Sequence, residues 1–361
     1  MGYTGKVNFS PFQAMTMYQF SGDLEYLNGI GAVPQDIGNE DLGWERELSY
    51  NLGTDISLFN RRLNFTFDIY LKKTTDLVLD ASRAPSTGTT SAKENIGEME
   101  NKGLEFQVDG MLVQKNDFYW QVAATGSMNR NRILKINSAL KKANEDANKV
   151  DSKTPLAQYE EGESTTALKV VKSAGIDPAT GQEVFIKLNG ERTFEYSADD
   201  KFVIGDTEPR FRGTVSTNLF YKGFSLYLLG RYECGAYLYN ETRATKVEGA
   251  NPKKNADKRV FDSRWKNPGD IAFYKDIADS DGWGTNPKHS DRFVEKENVF
   301  TLETVNFGYE FGQNICSKIG VRNLRVGVNM TDIVRWSNVK VERGTIYLYS
   351  NGFEFTLSTT F

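Results

Sequence analysis

The sequence predicts an all-β protein: an antiparallel transmembrane β-barrel segment with about nine spanning strands, short periplasmic turns and long extracellular loops. Apolar and polar residues alternate in many segments, and tight turns alternate with long polar connections. No segment approaches the roughly 18–20 consecutive apolar residues of a membrane helix. The hydrophilic average is compatible with a barrel, because neighbouring residues of a strand face lipid and lumen in turn.

The carboxy-terminal stretch shows the alternation most clearly. Its apolar positions share one parity and predict the strand that closes the barrel and directs insertion, namely Phe353, Phe355, Leu357 and Phe361. Polar residues occupy the other parity, at Glu354, Thr356, Ser358 and Thr360. An ordinary sheet strand that happens to come last is the alternative interpretation.

Composition excludes several classes of partner. A net charge of −4 without a basic cluster argues against nucleic-acid binding. Cys234 and Cys316 lack metal-ligand spacing, and both a disulfide and unpaired thiols remain open.

The first residues contain no basic region followed by an apolar core, so no secretory signal is predicted there. The chain is therefore expected to be a fragment, or to have its signal on a separate upstream piece.

The first predicted hairpin follows a mixed segment. Residues 1–43 are expected to be mostly loop, since glycines and a proline interrupt any period. Alternation covers 44–58 and resumes over 63–71, after a turn at 60–62. When these two segments pair as an antiparallel hairpin, their apolar residues lie on the same face, so the sequence predicts such a hairpin.

A second hairpin is predicted between two polar connections. Residues 76–99 are polar and small, and we expect them to form a loop. Alternation then covers 104–112 and 118–125, with a turn at 115–117. Inside the long polar segment 132–207, short apolar runs flank a turn at 177–181, which predicts a small extracellular hairpin.

The third hairpin combines strands at 211–221 and 224–232 around a turn at 222–223, and the loop 241–295 follows it. Beyond this loop the apolar parity changes between Leu302 and Val305. This change predicts a bulge near Glu303.

The final pair of strands is predicted at 324–330 and at the carboxy-terminus. Because the last strand of such a barrel runs towards the periplasm, residues 333–352 are expected to be extracellular. The β-forming run at 346–349 is therefore not counted as a spanning strand.

No enzyme site is predicted. His289 is the only histidine, and without a nucleophile near it in sequence a catalytic role is not expected. Asp276, Asp279 and Asp281 offer oxygen atoms that suit calcium, but their spacing differs from that of an EF-hand and a solvated acidic loop is favoured. The sequence thus assigns no catalytic, cofactor-binding or metal-binding residue.

The loop 241–295 carries candidate contacts for a ligand or a lid. Its aromatic residues are Trp265, Phe273, Tyr274 and Trp283. Aromatic rings in a polar loop either stack on sugars and peptides or anchor the loop by packing. Anchoring is the favoured interpretation, and ligand contact is the alternative.

Several segments resemble motifs of the SusC/RagA family of TonB-linked outer-membrane proteins. The most specific resemblance is the string ENIGEMENKGLE at residues 94–105. Further similar segments are found at 2–8, where Lys6 replaces the usual Asn, and at 38–45, 68–77, 174–181, 204–211 and 219–224. The resemblance covers essentially the whole chain.

This resemblance implies a barrel of about 22 strands with an internal plug, in the outer membrane of Bacteroidota. Members of the family import oligosaccharides or peptides with energy from the TonB complex, and they partner a SusD-like surface lipoprotein. No cofactor is implied. Residues 1–361 are expected to be the carboxy-terminal part of the barrel, without the plug, the TonB box or the signal peptide.

Roughly nine strands leave two open edges, and each unpaired backbone group in hydrocarbon costs several kcal/mol. A companion chain or an upstream segment is therefore expected to supply the plug and the remaining strands. Two alternatives are a small passive pore formed when the chain closes on itself, and a soluble carbohydrate-binding β-sandwich.

Overall fold

A ten-stranded antiparallel sheet dominates the computed structural model of the chain. The structure describes residues 1–361 apart from 8, 9, 11–13, 27, 28, 37, 83–90, 151, 252, 254, 255, 278–286, 341–350 and 361. In chain order the strands are β1 (Gly2–Lys6), β2 (Met17–Tyr26), β3 (Gly29–Asp36), β4 (Glu45–Leu58), β5 (Leu63–Ser82), β6 (Ser91–Lys115), β7 (Phe118–Ile136), β8 (Ala167–Ile176), β9 (Glu183–Ile186), β10 (Arg192–Thr193), β11 (Lys201–Asp206), β12 (Phe211–Tyr221), β13 (Phe224–Tyr239), β14 (Val294–Glu310), β15 (Asn323–Ser337) and β16 (Gly352–Thr360).

The main sheet has the order β1-β4-β5-β6-β7-β12-β13-β14-β15-β16, a second sheet has the order β10-β9-β8-β11, and β2 pairs with β3. The helices are α1 (Ser138–Lys149) and α2 (Gln313–Lys318). In the described part of the chain, neither helix has the length and apolar character needed to cross a membrane.

The main sheet confirms the predicted barrel segment. β1 has 5 residues, whereas the other main-sheet strands have between 9 and 25, as in β16 and β6. A spanning strand needs about 9–11 residues, so nine of the ten strands are long enough to span. Among the described pairings, the outer strands β1 and β16 pair only with β4 and β15, so the segment is open.

All short turns lie at one end of the main sheet, as predicted. They follow β4, β6 and β12, and the longer connection 311–322 after β14, which contains α2, lies at the same end; we call this end the turn end. The turn between β12 and β13 contains Lys222 and Gly223 with φ of 48° and 90°, the left-handed geometry that suits a two-residue hairpin. The long connections lie at the opposite end, the loop end.

The bulge predicted near Glu303 is present. Leu229 pairs with Thr304, but the next residue of β13, Gly230, pairs with Leu302. Glu303 is thus the extra residue, and its carboxylate accepts a hydrogen bond from Arg231 Nε at 2.5 Å.

Several polar segments predicted to be loops form strands instead. Residues 1–43 contain β1, β2 and β3, and the predicted loop 76–99 contains the ends of β5 and β6. Partly buried polar contacts support this extension, since Asn95 donates from Nδ2 to the carbonyl oxygens of Gly43 (2.9 Å) and Asp76 (2.7 Å). Hydrogen bonding therefore replaces apolar alternation as the reason for strand structure here.

Two further differences concern the long connections. The segment 132–207 contains helix α1, which the sequence analysis did not predict. β15 continues past the predicted 324–330 to Ser337, while the run at 346–349 lies outside the described residues.

One face of the main sheet carries two aromatic bands, and we call it the outer face. Cross-strand partners form the band near the turn end, namely Phe118, Tyr221, Phe224 and Tyr309. The second band comprises Phe106, Tyr232, Phe300 and Trp336. Phe106 and Tyr232 are on the same cross-strand row, separated by Gly126 and Gly213 on the two strands between them. Between the bands the same face is apolar, with Leu219, Leu226, Phe307 and Val328.

The spacing of the bands matches a membrane. Tyr232 follows Phe224 by eight residues, which is ~27 Å along β13 at ~3.4 Å per residue. A strand tilt of ~40° reduces this length to a height of ~20 Å, comparable with the ~25 Å apolar band of outer-membrane barrels. The outer face is therefore the lipid-facing surface.

The opposite, inner face is polar. Hydrogen bonds link its side chains across strands in three pairs, Asn51 with Asp68, Thr66 with Asp55, and Tyr70 with Asn129, at 3.1, 2.7 and 3.1 Å. The sheet thus has the alternation of a wall with hydrocarbon on one side and water on the other.

We predict that Gly126→Ala destabilises the barrel wall. A Cβ at Gly126 would lie 2.5 Å from Phe106 Cζ and 3.0 Å from Phe211 Cε2, so both rings must move. We expect a loss of about 1–3 kcal/mol. The measurement is the temperature at which protein isolated from outer membranes loses its heat-sensitive mobility on gels. Gly110→Ala is the matched control, since its Cβ would meet Val122 Cγ2 at an ordinary 3.5 Å. Equal melting temperatures for the two variants would contradict the prediction.

Candidate functional site

Two long connections fold together at the loop end. They comprise residues 138–210 and 240–293, and we call them the loop layer. The four-stranded sheet β10-β9-β8-β11 is its framework. Its apolar core consists of Leu168, Val170, Tyr239, Ala244, Val247, Tyr274 and Phe293. Since this core draws residues from both connections, the two fold as one layer.

Helix α1 joins the loop layer to the top of β7. Asn137 caps the helix, because its Oδ1 accepts a hydrogen bond from Leu140 N at 3.0 Å. Leu140 is buried against Ile133 and Ile136 of β7. The wall and the loop layer therefore share an apolar contact.

A buried ion cluster lies beneath the core. Arg292 binds Glu183 through Nε (2.7 Å) and Nη2 (2.6 Å), and it binds Glu248 through Nη1 (2.9 Å) and Nη2 (2.8 Å). All three side chains are buried. Burial alone would lower the pKa of Arg292, but attraction to Glu248 and Glu183 outweighs it and raises the pKa. The guanidinium therefore holds β9 and the second connection together as a permanent cation.

Arg264 holds backbone rather than carboxylates. Its guanidinium donates to the carbonyl oxygens of Val260 (2.7 Å), Val247 (2.5 Å) and Lys275 (2.9 Å). Burial lowers the pKa of Arg264, because the side chain is enclosed and its bonds are made to neutral acceptors. Segments without regular secondary structure thus obtain partners for their backbone.

Trp265, a predicted ligand or lid contact, packs on the turn at 177–181. Its Nε1 donates to the carbonyl oxygen of Pro178 at 2.9 Å. The indole covers Gly181, whose φ of +74° is in the left-handed region and whose absent Cβ leaves space for the ring. The side chain is buried and connects the two halves of the loop layer.

The other predicted aromatic contacts lie close by. Tyr274 is buried in the core, and Phe273 is half-buried and packs edge-to-face on it at 4.9 Å between ring centroids. The Arg243 guanidinium lies 4.5 Å from the Phe273 centroid, and its Nε donates to Tyr274 Oη at 3.1 Å. These contacts support anchoring. Trp283 lies outside the described residues.

The candidate metal and catalytic residues do not form a site among the described residues. No group of three or more potential metal ligands occurs in that part of the chain, and Asp279 and Asp281 lie outside it. His289 is buried, with Nε2 3.0 Å from the carbonyl oxygen of Ser152. Its contacts are structural.

A cavity of about 1130 Å³ opens at the edge of β7. The pairing of β12 with β7 ends with Arg212 opposite Ser127, so residues 128–132 of β7 have no main-sheet partner on that side. The segments 162–167 and 206–210 cover this edge. The first of them is bonded to β7, because the carbonyl oxygen of Glu163 accepts a hydrogen bond from Ile133 N at 2.7 Å. The cavity thus occupies a gap in the wall beneath the loop layer.

The inner part of the cavity is polar and contains both acidic and basic side chains. Its lining includes Tyr70, Asn129, Asp206, Glu208 and Arg210. Tyr70 is the only aromatic residue among the described residues that line the cavity, so this part of the lining offers no paired rings for stacking on a sugar. This site was not predictable from the sequence, because it forms where β12 stops pairing with β7.

The carboxy-terminal residues point to the outer face. Phe353, Phe355 and Leu357 of β16 are 60%, 80% and 72% exposed, as expected for side chains that face lipid when no lipid is present. Phe361 lies outside the described residues. Their role in closing the barrel stays a prediction, since β15 is their described partner. Cys234 and Cys316 are both unpaired.

The sequence matches the family described as TonB dependent receptor-like, beta-barrel over residues 8–329. TonB-dependent receptor P39 of Formosa agariphila is 24% identical, and the match covers 93% of this chain and 36% of that protein. TonB-dependent receptor P26 of the same organism is 28% identical over 91% of this chain and 34% of its own length. TonB-dependent receptor SusC of Bacteroides thetaiotaomicron is 23% identical, covering 77% and 27%.

Solved structures show the same fold. The structure of the RagAB peptide transporter superposes with a TM-score of 0.77 at 21% identity, covering 93% of this chain and 36% of that one. The RagAB peptide importer in its open-open state gives a TM-score of 0.73, covering 95% and 36%. The chain spans about a third of the length of the curated relatives P39 and P26.

We predict that Arg292→Met loosens the loop layer. Removal of the guanidinium leaves Glu183 and Glu248 as buried, uncompensated charges, at a cost of about 3–5 kcal/mol. Hydrogen exchange in protein from outer membranes should accelerate in β8, β9 and 240–275. The control is Arg259→Met, which breaks a partly exposed ion pair with Asp257 and should cost less than about 1 kcal/mol. Unchanged exchange in the Arg292 variant would contradict this account.

Replacement of Trp265 by Phe tests its anchoring role. The variant keeps a ring but loses the bond to the Pro178 carbonyl, so we expect faster proteolysis of the turn at 177–181, equivalent to about 1 kcal/mol. Lys266→Arg, at an exposed position of the same loop, is the control and should leave proteolysis unchanged. Unchanged proteolysis in the Trp265 variant would contradict anchoring.

Proposed function

Because the chain belongs to the TonB dependent receptor-like β-barrel family, we propose that it forms the carboxy-terminal part of the wall of a TonB-dependent importer. Proteins of this family are transporters of the cell outer membrane and not enzymes. The plug, the TonB box and the remaining strands would belong to an upstream segment or a companion chain, through which the TonB complex acts. In this assignment the turn end is periplasmic and the loop layer is extracellular.

One observation carries the proposal: the two faces of the sheet differ over the length of a membrane. The outer face has two aromatic bands separated by an apolar surface, whereas the inner face carries hydrogen-bonded polar side chains. A β-sandwich buries one face of each sheet against another, which the continuous main sheet does not do. This contrast favours a barrel wall over the soluble binding module.

We propose oligosaccharides or peptides as the imported substrates, and the cavity favours peptides. Asp206 and Glu208 suit an ammonium group, and Arg210 suits a carboxylate. The single aromatic ring, Tyr70, gives little stacking surface for sugars. A relative of the same fold is described as a peptide transporter.

We propose a SusD-like surface lipoprotein as the lid, docked on the loop layer. Apolar side chains of this layer reach solvent at Ile271, Phe261 and Leu188, with exposures of 96%, 68% and 66%. These exposed apolar side chains are available to a partner that docks on the loop layer. In this arrangement Trp265, Phe273 and Tyr274 hold the docking surface in place from beneath, and Trp283 belongs to the same loop.

We predict that a bulky reagent on the inner face blocks import. Gln107 lies on the inner face, where it donates to Asp109 at 2.8 Å, and its neighbour Val108 pairs with Phe65 on the outer face. In a background with Cys234 and Cys316 replaced by Ala, a water-soluble polymer maleimide should label Gln107→Cys. Uptake of labelled peptides or oligosaccharides should then fall to near zero.

The neighbouring position supplies the control. Val108→Cys faces lipid, so the same reagent should leave it unmodified and uptake unchanged. Uptake should also stop when the inner-membrane proton gradient is dissipated, because TonB transmits that energy. Persistent uptake without the gradient would replace the importer with a passive pore, and equal labelling at both positions would contradict the assignment of the two faces.

A further inference from the structure

Three basic side chains lie immediately beyond the apolar surface of β6 and β7, on the side of the loop end. On β7 the outer-face positions from Phe118 to Met128 are apolar or glycine, and this stretch has the ~9–11 residues that a tilted strand needs to span. The next outer-face residues are Arg130 and Arg132. On β6 the residue that follows Leu104 on this face is Lys102, paired with Arg130.

This position is the headgroup level of the outer leaflet. The hydrocarbon core ends near Leu104 and Met128, and the polar headgroup region continues for another ~5–7 Å on each side. Two residues along a strand advance by ~7 Å, or ~5 Å in height at a tilt of ~40°, so Lys102 and Arg130 lie within that region. Arg132 lies another ~5 Å higher, from where its long side chain extends back towards the headgroups.

The cluster is positive and accessible. Lys102, Arg130 and Arg132 are all exposed, and neither arginine forms an ion pair with a described residue. Glu100 is the acidic neighbour on this face, with Oε1 3.8 Å from Lys102 Nζ. Lys73, on the adjacent strand, is paired with Glu98 at 3.0 Å. On this face of β6 and β7, three cations therefore face one carboxylate that has no closer partner, whereas Glu163, Asp206 and Glu208 reach the same cavity from the loop layer.

The surface below the cluster is suited to an acyl chain. Ile69, Leu104 and Met128 are cross-strand partners on the outer face, and they line the cavity at the edge of β7 together with the three cations. The surface thus combines an apolar floor with a basic rim. This combination matches an amphiphile, whereas a free anion would use the rim alone.

We propose that Lys102, Arg130 and Arg132 bind the headgroup of an outer-leaflet lipid that carries a phosphate monoester, with its chain on Ile69, Leu104 and Met128. Guanidinium groups bind phosphate oxygens in pairs, and a lysine adds a point charge. Opposing charge at the headgroup level makes this strip of wall a preferred lipid contact. These six residues lie on the outer face, whereas Tyr70 and Asn129 of the same cavity lie on the inner face.

The test measures lipid retained by protein purified from outer membranes and exchanged into nanodiscs. Phosphatidic acid in phosphatidylcholine serves as the probe, and native mass spectrometry counts the retained molecules. The triple variant K102Q/R130Q/R132Q should lose about tenfold or more in retained phosphatidic acid, since each cation near the surface contributes to binding. Heat-sensitive gel mobility should stay unchanged, and retention is measured without any transported substrate, which separates this test from that of the import function.

The control removes three exposed cations at the turn end, in the variant R62Q/K115Q/K222Q. Retention should equal that of the unmodified protein. Glu100→Gln, which removes the acidic neighbour, should raise retention and provides a second test if the triple variant fails to fold. Equal retention in the triple variant, an equal loss in the control, or displacement of the lipid by millimolar inorganic phosphate would each overturn the proposal.

Discussion

Hydrocarbon allows no unpaired backbone group, and every other feature of this chain depends on that constraint. Each unsatisfied N–H or C=O costs several kcal/mol, so the spanning segments must be strands in register. Strand geometry then turns successive side chains to opposite faces. The aromatic bands, the polar inner face and the glycines beneath Phe106 and Tyr232 are consequences of filling those two faces separately.

The loop layer lies outside the hydrocarbon, where water can also pair with backbone groups, and other interactions stabilise it. The loop layer has a small apolar core and relies on charged groups to hold its irregular segments. Arg292 with Glu183 and Glu248, and Arg264 with backbone carbonyl oxygens, supply partners that a sheet would supply elsewhere. Such clusters are specific in geometry but costly to break, because a buried charge left alone is strongly unfavourable.

The wall was predictable from sequence and the loop layer largely was not. Period-two alternation identified nearly all spanning strands, and the parity change beside Glu303 located the bulge. Helix α1 and the polar ends of β5 and β6 gave no such signal, because capping by Asn137 and cross-links from Asn95 stabilise them. The cavity could not be predicted, since it depends on where β12 stops pairing with β7.

The bulge also bears on how chain length can vary within the wall. Leu302 and Phe300 lie on the outer face, as do Val305 and Phe307, because Glu303 takes up the odd residue between them. Loss of that one residue would leave both halves of β14 facing as they do now and would forfeit only the contact with Arg231. A loss in the middle of either half would instead turn part of the strand over and put apolar side chains into water. The bulge is therefore a point in β14 at which one residue can be lost without exchanging the faces of the strand.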